Sequence, residues 1–219
     1  MNPGPAVQFY IFGNQNFPVT DTLLVGWLTM IIIIIGAKFL TSKLEIRPNK
    51  KQNIAELLIE AIHGQIEPML PEEGWKFLPF IATIFIYVTL SNIMIVIPGL
   101  TSPSADLNLT LGLALVVFIV VQHQGIKEYG FFGYLKSYAE PVIFLLPINI
   151  IGELAKPISH SFRLFGNIIG GLIIVSLIYQ AAPPIIPVPL HMWFDLFVGL
   201  IQGFIFGMVA IAYISVAKT

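Results

Sequence analysis

Five long apolar segments constrain the fold of this chain more than any other feature. A helix that crosses a bilayer needs roughly 20 mainly apolar residues, because lipid offers its backbone no hydrogen-bond partners. The third segment is short for a span but strongly apolar. The five segments cover residues 23–40, 77–97, 107–121, 141–179 and 191–216. We therefore predict an all-α, polytopic membrane protein with about five transmembrane helices, in a single membrane domain over residues 1–219.

The composition indicates that lipid is the solvent of this chain. Hydrophobic residues make up 56% of the sequence and charged residues only 11%, whereas soluble domains carry about 25% charged residues. The net charge of −1 and the lack of a basic patch argue against a nucleic-acid partner. The absence of cysteine excludes disulfides, thiolate nucleophiles and cysteine-ligated metals. No Lys or Arg precedes Lys38, so we expect no cleaved signal peptide.

The basic residues of the loops indicate the orientation of the chain. Lys and Arg concentrate in loops on the cytoplasmic side of a membrane protein. Here they lie in the first and third loops and in the C-terminal tail, and they are absent from residues 98–106 and 180–190. They include Lys43, Arg47, Lys50, Lys51, Lys127, Lys136 and Lys218. Five spans then place the N-terminus outside and the C-terminus in the cytoplasm.

The segment 53–68 has a helical pattern of its own. Its apolar residues recur at helical spacing and are interrupted by three glutamates. The apolar residues are Ile54, Leu57, Leu58, Ala61, Ile62 and Ile66. This pattern predicts an amphipathic helix in the cytoplasmic membrane interface. A cytoplasmic loop helix that packs on a partner explains the pattern equally well.

The fourth apolar segment is long enough for more than one helix. Pro141, Pro147 and Pro157 fall within it, and each removes a backbone donor and can restart or kink a helix. We favour a short first helix followed by one long, tilted helix from about Pro147; a single tilted helix is the alternative. Small-residue ridges in the last two segments, Gly166 with Gly170 and then 199–207, predict that these helices pack as a hairpin.

Polar residues gather on one side of the fourth segment. On an ideal helix six of them fall within an arc of about 80°. They are Asn149, Glu153, Lys156, His160, Arg163 and Asn167. A charged side chain inside a membrane costs roughly 3 to more than 10 kcal/mol, so such residues are usually functional. We therefore predict a polar stripe that faces water or a partner.

Arg163 is the strongest functional candidate in this stripe. It lies near the middle of the span, too deep to reach the interface easily, and its guanidinium stays protonated. It can attract or repel a carboxylate but cannot relay a proton. For three other members a structural role is equally possible: Lys156 can extend to the interface or pair with Glu153, and His160 can be a packing residue. Asparagines such as Asn149 and Asn167 more often hydrogen-bond to neighbouring helices.

Further polar candidates lie in the last and third segments. Asp195 and Gln202 fall within about 60° of one another on an ideal helix. Asp106, at the outer start of the third span, is either a helix cap or part of an ion path. Asn92 is expected to hydrogen-bond between helices.

The surroundings of Arg163 carry a family resemblance. Lys156-Pro157, followed by Ser161-Phe162-Arg163-Leu164-Phe165-Gly166-Asn167, resembles the signature of subunit a of F-type ATP synthases. The stretches 103–108 and 202–206 match two further motifs of that family, in the same order and spacing. The resemblance covers nearly the whole chain.

This resemblance implies a function and a set of partners. Subunit a is stationary and lies against a rotating ring of c subunits, each with a membrane carboxylate, and two half-channels connect that carboxylate to opposite sides of the membrane. The arginine that matches Arg163 separates the half-channels, and Gln202 matches a glutamine near it. The implied partners are the c-ring, the b subunits of the peripheral stalk and membrane lipid, in a bacterial inner membrane. The implied role is non-catalytic, with no cofactor and no nucleotide on this chain. The residues that we assign to ion translocation are Arg163, Gln202, Asn167, Asp195, His160, Glu153, Lys156, Asn149 and Asp106.

The transported ion is either Na⁺ or H⁺. Proton-type members of the family carry a glutamate and a histidine at the positions of Leu172 and Asp195, so a titratable pair is missing here. The stretches 152–157 and 189–197 resemble the sodium-type members instead. We therefore favour Na⁺, bound transiently near Arg163 and Asp195 and not as a firmly held metal.

Three other classes of protein are alternatives. A channel or secondary transporter unrelated to ATP synthase would explain the stripe, although we find no internal repeat. An intramembrane hydrolase would use Asp195 with His191 or His160, although no third group for a triad is evident. A structural scaffold would not need Arg163.

Overall fold

The computed structural model describes residues 6–10, 18–97, 99–138, 143–181 and 187–218. Two short antiparallel strands, β1 (Val7–Tyr10) and β2 (Pro18–Thr20), precede the helices. The helices are α1 (Asp21–Leu40), α2 (Lys50–Ile66), α3 (Gly74–Ile93), α4 (Leu107–Ser137), α5 (Leu146–Ala181), α6 (Pro187–His191) and α7 (Gly199–Val216). A π-helical segment, Met192–Val198, joins α6 to α7. Short 3₁₀ turns lie at Met94–Val96, Pro103–Ala105 and Ile143–Leu145.

Five helical stretches are long and apolar enough to cross a membrane. They are Asp21–Leu40, Gly74–Val96, Leu107–Ser137, Ile143–Ala181 and Pro189–Val216. The prediction of an all-α, polytopic membrane protein with five transmembrane helices is therefore confirmed.

The fourth span is one long helix after a short turn. The 3₁₀ turn Ile143–Leu145 leads directly into α5, which continues through Pro157 to Ala181. Pro141, where we expected the segment to begin, lies outside the described residues. The third span is longer than its apolar run, because α4 continues through polar residues to Ser137 with a break at Gly130.

The central core forms where α3, α4, α5 and α7 meet. Its fully buried members include Ile81, Val88, Val117, Leu164, Phe206, Ala210 and Ile214. The glycine ridge of α7 packs on α3: a Cβ added at Gly199 would lie 3.0 Å from Cβ of Asn92. Asn92 Nδ2 donates to Gly199 O over 3.0 Å, which is the interhelical bond expected of this residue. Thus α7 packs most extensively on α3 and α5 on α4, while α5 and α7 also meet.

The amphipathic helix α2 divides its apolar face between two environments. Ile62 and Ile66 are buried in the core next to α3, whereas Ile54, Leu57 and Leu58 are exposed. Asn49 caps the start of α2 through its side chain, which accepts from the backbone of Lys51 and Gln52. The exposed apolar face suits either lipid or a partner protein.

Candidate functional site

The polar stripe of α5 passes through three environments. Asn149, Glu153 and Lys156, near the start of the helix, are partly buried. His160 is buried with 2% of its surface exposed. Arg163 and Asn167 lie on the exposed face of the chain. The six residues thus lie along one side of the helix, but they do not share one surface.

Arg163 faces outward from the middle of α5. Among the described residues, none forms a hydrogen bond or an ion pair with its guanidinium. Gly152, Gly166 and Gly170 lie along the same helix, and a Cβ added at any of them would meet nothing within 4 Å. An exposed cation among small residues leaves a surface that a second helix can approach closely.

One turn beyond Arg163, a side-chain hydrogen bond joins α5 to α7. Asn167 Nδ2 donates to Gln202 Oε1 over 2.7 Å. Gln202 is 2% exposed and lies on the buried face of α7. Hairpin packing of the last two spans, which the sequence predicts, would bring their polar residues together, and this bond joins one such pair.

A second pair lies at the start of the last span. His191 Nδ1 and Asp195 Oδ2 are 2.5 Å apart, and Asp195 is 4% exposed. They line a cavity of about 510 Å³, here called the Asp195 cavity. Its other walls come from Ile95 and Val96 after α3, Tyr179 near the end of α5, and Met192 and Leu196. This cavity therefore lies at the end of the bundle where α3 and α5 finish.

A cluster of polar side chains lies at the opposite end of α5. Glu153 pairs with Lys156 and accepts a hydrogen bond from Gln122 Nε2 over 3.3 Å. Tyr134 donates its hydroxyl to Gln122 Oε1 over 3.0 Å. Tyr138 OH donates to Tyr134 OH, and Asn149 Nδ2 donates to Tyr138 O over 2.8 Å.

The cluster borders a cavity of about 330 Å³, here called the Glu153 cavity. Its lining includes Glu153, Lys156, Tyr134, Tyr138, Tyr213, Val216 and Ala217. Burial, as the largest cause, raises the pKa of Tyr138 above its usual value, so this phenol stays protonated at neutral pH. The C-terminal ends of α4 and α7 meet the N-terminal part of α5 at this cavity.

His160 lies between the Glu153 cavity and Arg163. Its ring packs against Phe206 with centroids 3.8 Å apart and the ring planes tilted by 39°, and neither ring nitrogen has a hydrogen-bond partner in the described part of the chain. A small void of about 10 Å³ beside it is also lined by Glu153, Lys156 and Tyr213. A void of that size holds about one water molecule. A water there would supply His160 with its missing partner.

The two cavities lie far apart along α5. Glu153 and Tyr179 are 26 residues apart in one helix, which corresponds to roughly 39 Å of rise. Arg163 lies between them, about 15 Å along the axis from Glu153. Within the described residues, no group of three His, Asp or Glu side chains could hold a metal ion.

Asp106 has clear structural partners. Its Oδ1 accepts from Asn108 N over 2.9 Å, which caps the start of α4. Its Oδ2 accepts from Thr22 Oγ1 of α1 over 3.0 Å, and the residue is 8% exposed. It is not among the residues that line the Glu153 or Asp195 cavity.

Sequence reasoning missed Gln122, Tyr134 and Tyr138. They follow the apolar run that predicted the third span, so they were read as part of a loop. The sequence signal that could have located these residues is a pair of glycines, Gly125 and Gly130. Gly130 has a positive φ of 71°, and the chain turns back there towards Gln122.

Comparisons with known proteins agree on one family. The model of the family described as "ATP synthase A chain" matches residues 23–215. The chain is 35% identical to "ATP synthase subunit a, sodium ion specific" of Propionigenium modestum, over 97% of this chain and 84% of that protein. It is 36% identical to ATP synthase subunit a of Moorella thermoacetica, over 94% of each. It is also 36% identical to ATP synthase subunit a 2 of Picosynechococcus sp., over 95% of this chain and 91% of that protein.

Proposed function

Because this chain belongs to the ATP synthase A chain family, we propose that it is the stationary ion-path subunit of a rotary F-type ATP synthase. It passes ions to and from the carboxylates of a rotating c-ring and so couples ion flow to ATP synthesis. The family membership supports this role over an unrelated transporter, a hydrolase or a scaffold. The observation that carries the proposal is an exposed Arg163 between two cavities at opposite ends of the bundle.

The Asp195 cavity is proposed as the outer half-channel. In the orientation predicted from the loops, α3 and α5 end at the outer side, where this cavity lies. Asp195 and His191 supply an ionisable pair that can bind a cation or exchange a proton. Gln202 and Asn167, which are joined by a hydrogen bond, lie between this cavity and Arg163.

The Glu153 cavity is proposed as the cytoplasmic half-channel. It is lined by the ends of α4 and α7, which the same orientation puts on the cytoplasmic side. Glu153 and Lys156 line it, and Asn149 donates to the backbone of the lining residue Tyr138. His160, with its small void, lies between this cavity and Arg163 along α5. The two half-channels do not run into each other, and this offset forces an ion to ride on the ring.

Arg163 would control the carboxylate of each arriving c subunit. At an effective dielectric constant near 20, unit charges 4 Å apart attract by roughly 4 kcal/mol. This attraction is strong enough to expel a bound cation from a carboxylate and weak enough for the pair to separate as the ring turns. A membrane potential of 100 mV supplies about 2.3 kcal/mol per charge, so several ions per turn supply energy on the scale of ATP synthesis.

The face around Arg163 is proposed as the contact with the c-ring. In the part of the chain that the structure describes, Gly152, Gly166 and Gly170 have no neighbour that requires a glycine. A helix of the ring that passes within close range would require small residues there. The b subunits of the peripheral stalk and lipid would cover other faces, in a bacterial inner membrane with the N-terminus outside and the C-terminus in the cytoplasm.

Sodium is the proposed ion. One relative is named as sodium ion specific, and Leu172 removes the second titratable group that proton-type members place beside the position of Asp195. The measurement is ATP-driven uptake of ²²Na⁺ by the whole complex in proteoliposomes with an uncoupler present. Uptake that persists supports sodium, whereas uptake abolished by the uncoupler, with lumen acidification in its absence, makes this a proton path.

Replacement of Arg163 tests the proposed function. Arg163→Ala should abolish coupled ATP synthesis while the complex still assembles, because the side chain has no hydrogen-bond or ion-pair partner among the described residues. Arg163→Lys is the matched control for charge, and it should keep more activity than the alanine variant. A normal rate of ATP synthesis by a fully assembled Arg163→Ala complex would contradict the proposed function.

A further inference from the structure

The C-terminal part of α4 folds back along its own helix. Gly130 has φ 71° and ψ 163°, which interrupts the helix and reverses the chain. Tyr134 then packs directly over Gly125: a Cβ added at Gly125 would lie 2.7 Å from Cζ of the Tyr134 ring. This contact is possible because position 125 carries no side chain.

The fold-back brings two phenols to Gln122. Gln122 Oε1 accepts a hydrogen bond from Tyr134 OH over 3.0 Å. Tyr138 OH, which donates its one proton to Tyr134 OH, lies 3.4 Å from the same oxygen. With its oxygen occupied in this way, Gln122 directs its amide Nε2 towards Glu153 Oε2 at 3.3 Å. The network therefore holds the Glu153 carboxylate at a defined place beside the Glu153 cavity.

The Glu153 cavity suits a cation. The cavity is lined by the C-terminal ends of α4 and α7 and the residues that follow them, namely Ser137, Tyr138, Val216 and Ala217. The C-terminal end of a helix carries partial negative charge. Glu153 adds a full negative charge, and the phenols of Tyr134 and Tyr138 add neutral oxygens. The positive group at this place is the ammonium of Lys156, which is tied to Glu153.

We propose that Gln122, Tyr134 and Tyr138 position Glu153 as an admission site for a sodium ion on the cytoplasmic side. This proposal rests on the proposed function and deepens it. Sodium is a hard cation that prefers oxygen ligands, as calcium does. In the site, Na⁺ exchanges with the Lys156 ammonium at the carboxylate and then passes towards His160, since the small void beside His160 shares Glu153 and Lys156 with the larger cavity.

The three neutral residues act through Glu153, so they are positioning residues. Without Gln122 the carboxylate keeps its charge but loses one hydrogen-bond donor and its fixed orientation. The site then binds Na⁺ more weakly, while the outer half-channel, built by other residues, is unchanged.

The experiment compares the two sides of the membrane in the same complex. In proteoliposomes with the nucleotide-binding part outward, ATP-driven ²²Na⁺ uptake takes sodium from the cytoplasmic side, and ATP synthesis takes it from the lumen. Gln122→Leu should raise the KM for external Na⁺ about 10-fold. The maximal uptake rate should stay within about twofold, and the KM for lumenal Na⁺ should not change, because positioning affects binding on one side alone.

Gly125→Ala tests the same idea without removing any oxygen. A methyl group there displaces Tyr134, so the external KM should rise as it does in Gln122→Leu. Gly112→Ala is the matched control, since it lies on the same helix and its Cβ would meet nothing within 4 Å; it should behave as wild type. If Gln122→Leu fails to assemble, Tyr134→Phe keeps the ring and removes only the hydroxyl.

The outcomes separate this proposal from the function on which it rests. An unchanged external KM in Gln122→Leu, or in Tyr134→Phe where the leucine variant does not assemble, overturns the admission site. An equal rise on both sides overturns it too, because it indicates a general distortion. A wild-type complex that pumps only protons refutes the sodium site, whereas the ion-path function is decided separately by Arg163→Ala.

Discussion

At the scale of single residues, Asp106 shows how one carboxylate can serve two purposes. It caps α4 and binds Thr22, so its contacts explain its burial without any ion. Asp106→Ala should destabilise the complex by about 2 kcal/mol, since it removes a helix cap and the hydrogen bond that the buried Thr22 hydroxyl donates. Thermal unfolding of the assembled complex measures this loss.

Asp106→Asn separates the cap from an ion path. Asparagine caps a helix as well as aspartate does, and its amide can donate to the Thr22 hydroxyl. We expect wild-type stability and wild-type rates of ion transport in this variant. A stable Asp106→Asn complex with reduced transport would show that the negative charge takes part in the ion path.

Arg163 and Gln122 show which site residues a sequence reveals. A charge within an apolar run is conspicuous because burial in lipid is costly, so Arg163 and its neighbours could be found from the pattern. Gln122 and Tyr134 are ordinary residues after the end of such a run. Their proximity to Glu153 depends on the reversal at Gly130 and on tertiary packing, which no periodicity encodes.

At the scale of helices, the glycines divide into two kinds that should respond differently to alanine. A Cβ added at Gly203 would lie 3.1 Å from Cα of Thr89 on α3, whereas one at Gly166 meets nothing within 4 Å. Gly203→Ala should therefore push α3 and α7 apart and cost about 1–3 kcal/mol of stability. Gly166→Ala should leave stability unchanged or slightly higher, since alanine favours the helix.

Gly166→Ala should affect the rate of ATP synthesis even though it should not lower stability. If the ring passes close to this face, Gly166→Ala should slow ATP synthesis several-fold in a complex of normal thermal stability. The same substitution with full activity would place the ring contact elsewhere. Thermal unfolding and synthesis rate, measured on both variants, separate internal packing from contact with a partner.

The end of α7 is tied to the start of α3 by a partly exposed ionic contact, in which one carboxylate meets two lysines and which is sensitive to acid. Glu73 Oε2 lies 2.9 Å from Lys218 Nζ and 2.9 Å from Lys76 Nζ. Hydrogen bonds from Lys218 and then Lys76 lower the pKa of Glu73 from 4.5 to about 2. A carboxyl group whose pKa is lower in the folded state stabilises the fold above its unfolded pKa and loses that effect as the pH falls.

Glu73→Gln tests this contribution. At neutral pH the variant should be less stable by less than about 1 kcal/mol, because Glu73 and its two lysine partners are partly exposed to solvent. The difference in free energy of unfolding between variant and wild type should be constant above about pH 5 and should disappear as the pH falls towards 2. Thermal unfolding over this pH range measures it, and a gap that widens in acid would contradict the assignment.

Helix number could be predicted from the sequence, but not every helix partner. Each span is an apolar run whose length is set by the bilayer, so five runs gave five helices. The glycine ridge of α7 indicated close packing, yet it packs mainly on α3 and only partly on α5. A ridge of small residues fits any apolar helix, so its partner is decided by the whole bundle.

At the scale of the whole molecule, the two cavities predict that a single substitution can affect one side of the membrane. Asp195 lines only the cavity at the end of α5, away from the Glu153 cavity. Asp195→Asn keeps the shape of the side chain and removes its charge, while the amide oxygen can still accept from a protonated nitrogen of His191. Sodium should therefore bind more weakly at the outer side alone.

The measurement is the KM for Na⁺ on each side of the same proteoliposomes. Asp195→Asn should raise the KM for lumenal Na⁺ in ATP synthesis about 10-fold and leave the KM for external Na⁺ in ATP-driven uptake unchanged. Met192→Leu is a suitable control, because it alters an apolar lining residue of the same cavity without a change in charge. If both KM values rise equally, the two cavities do not act as separate half-channels, because a charge at one end of the bundle would then govern ion access at the other.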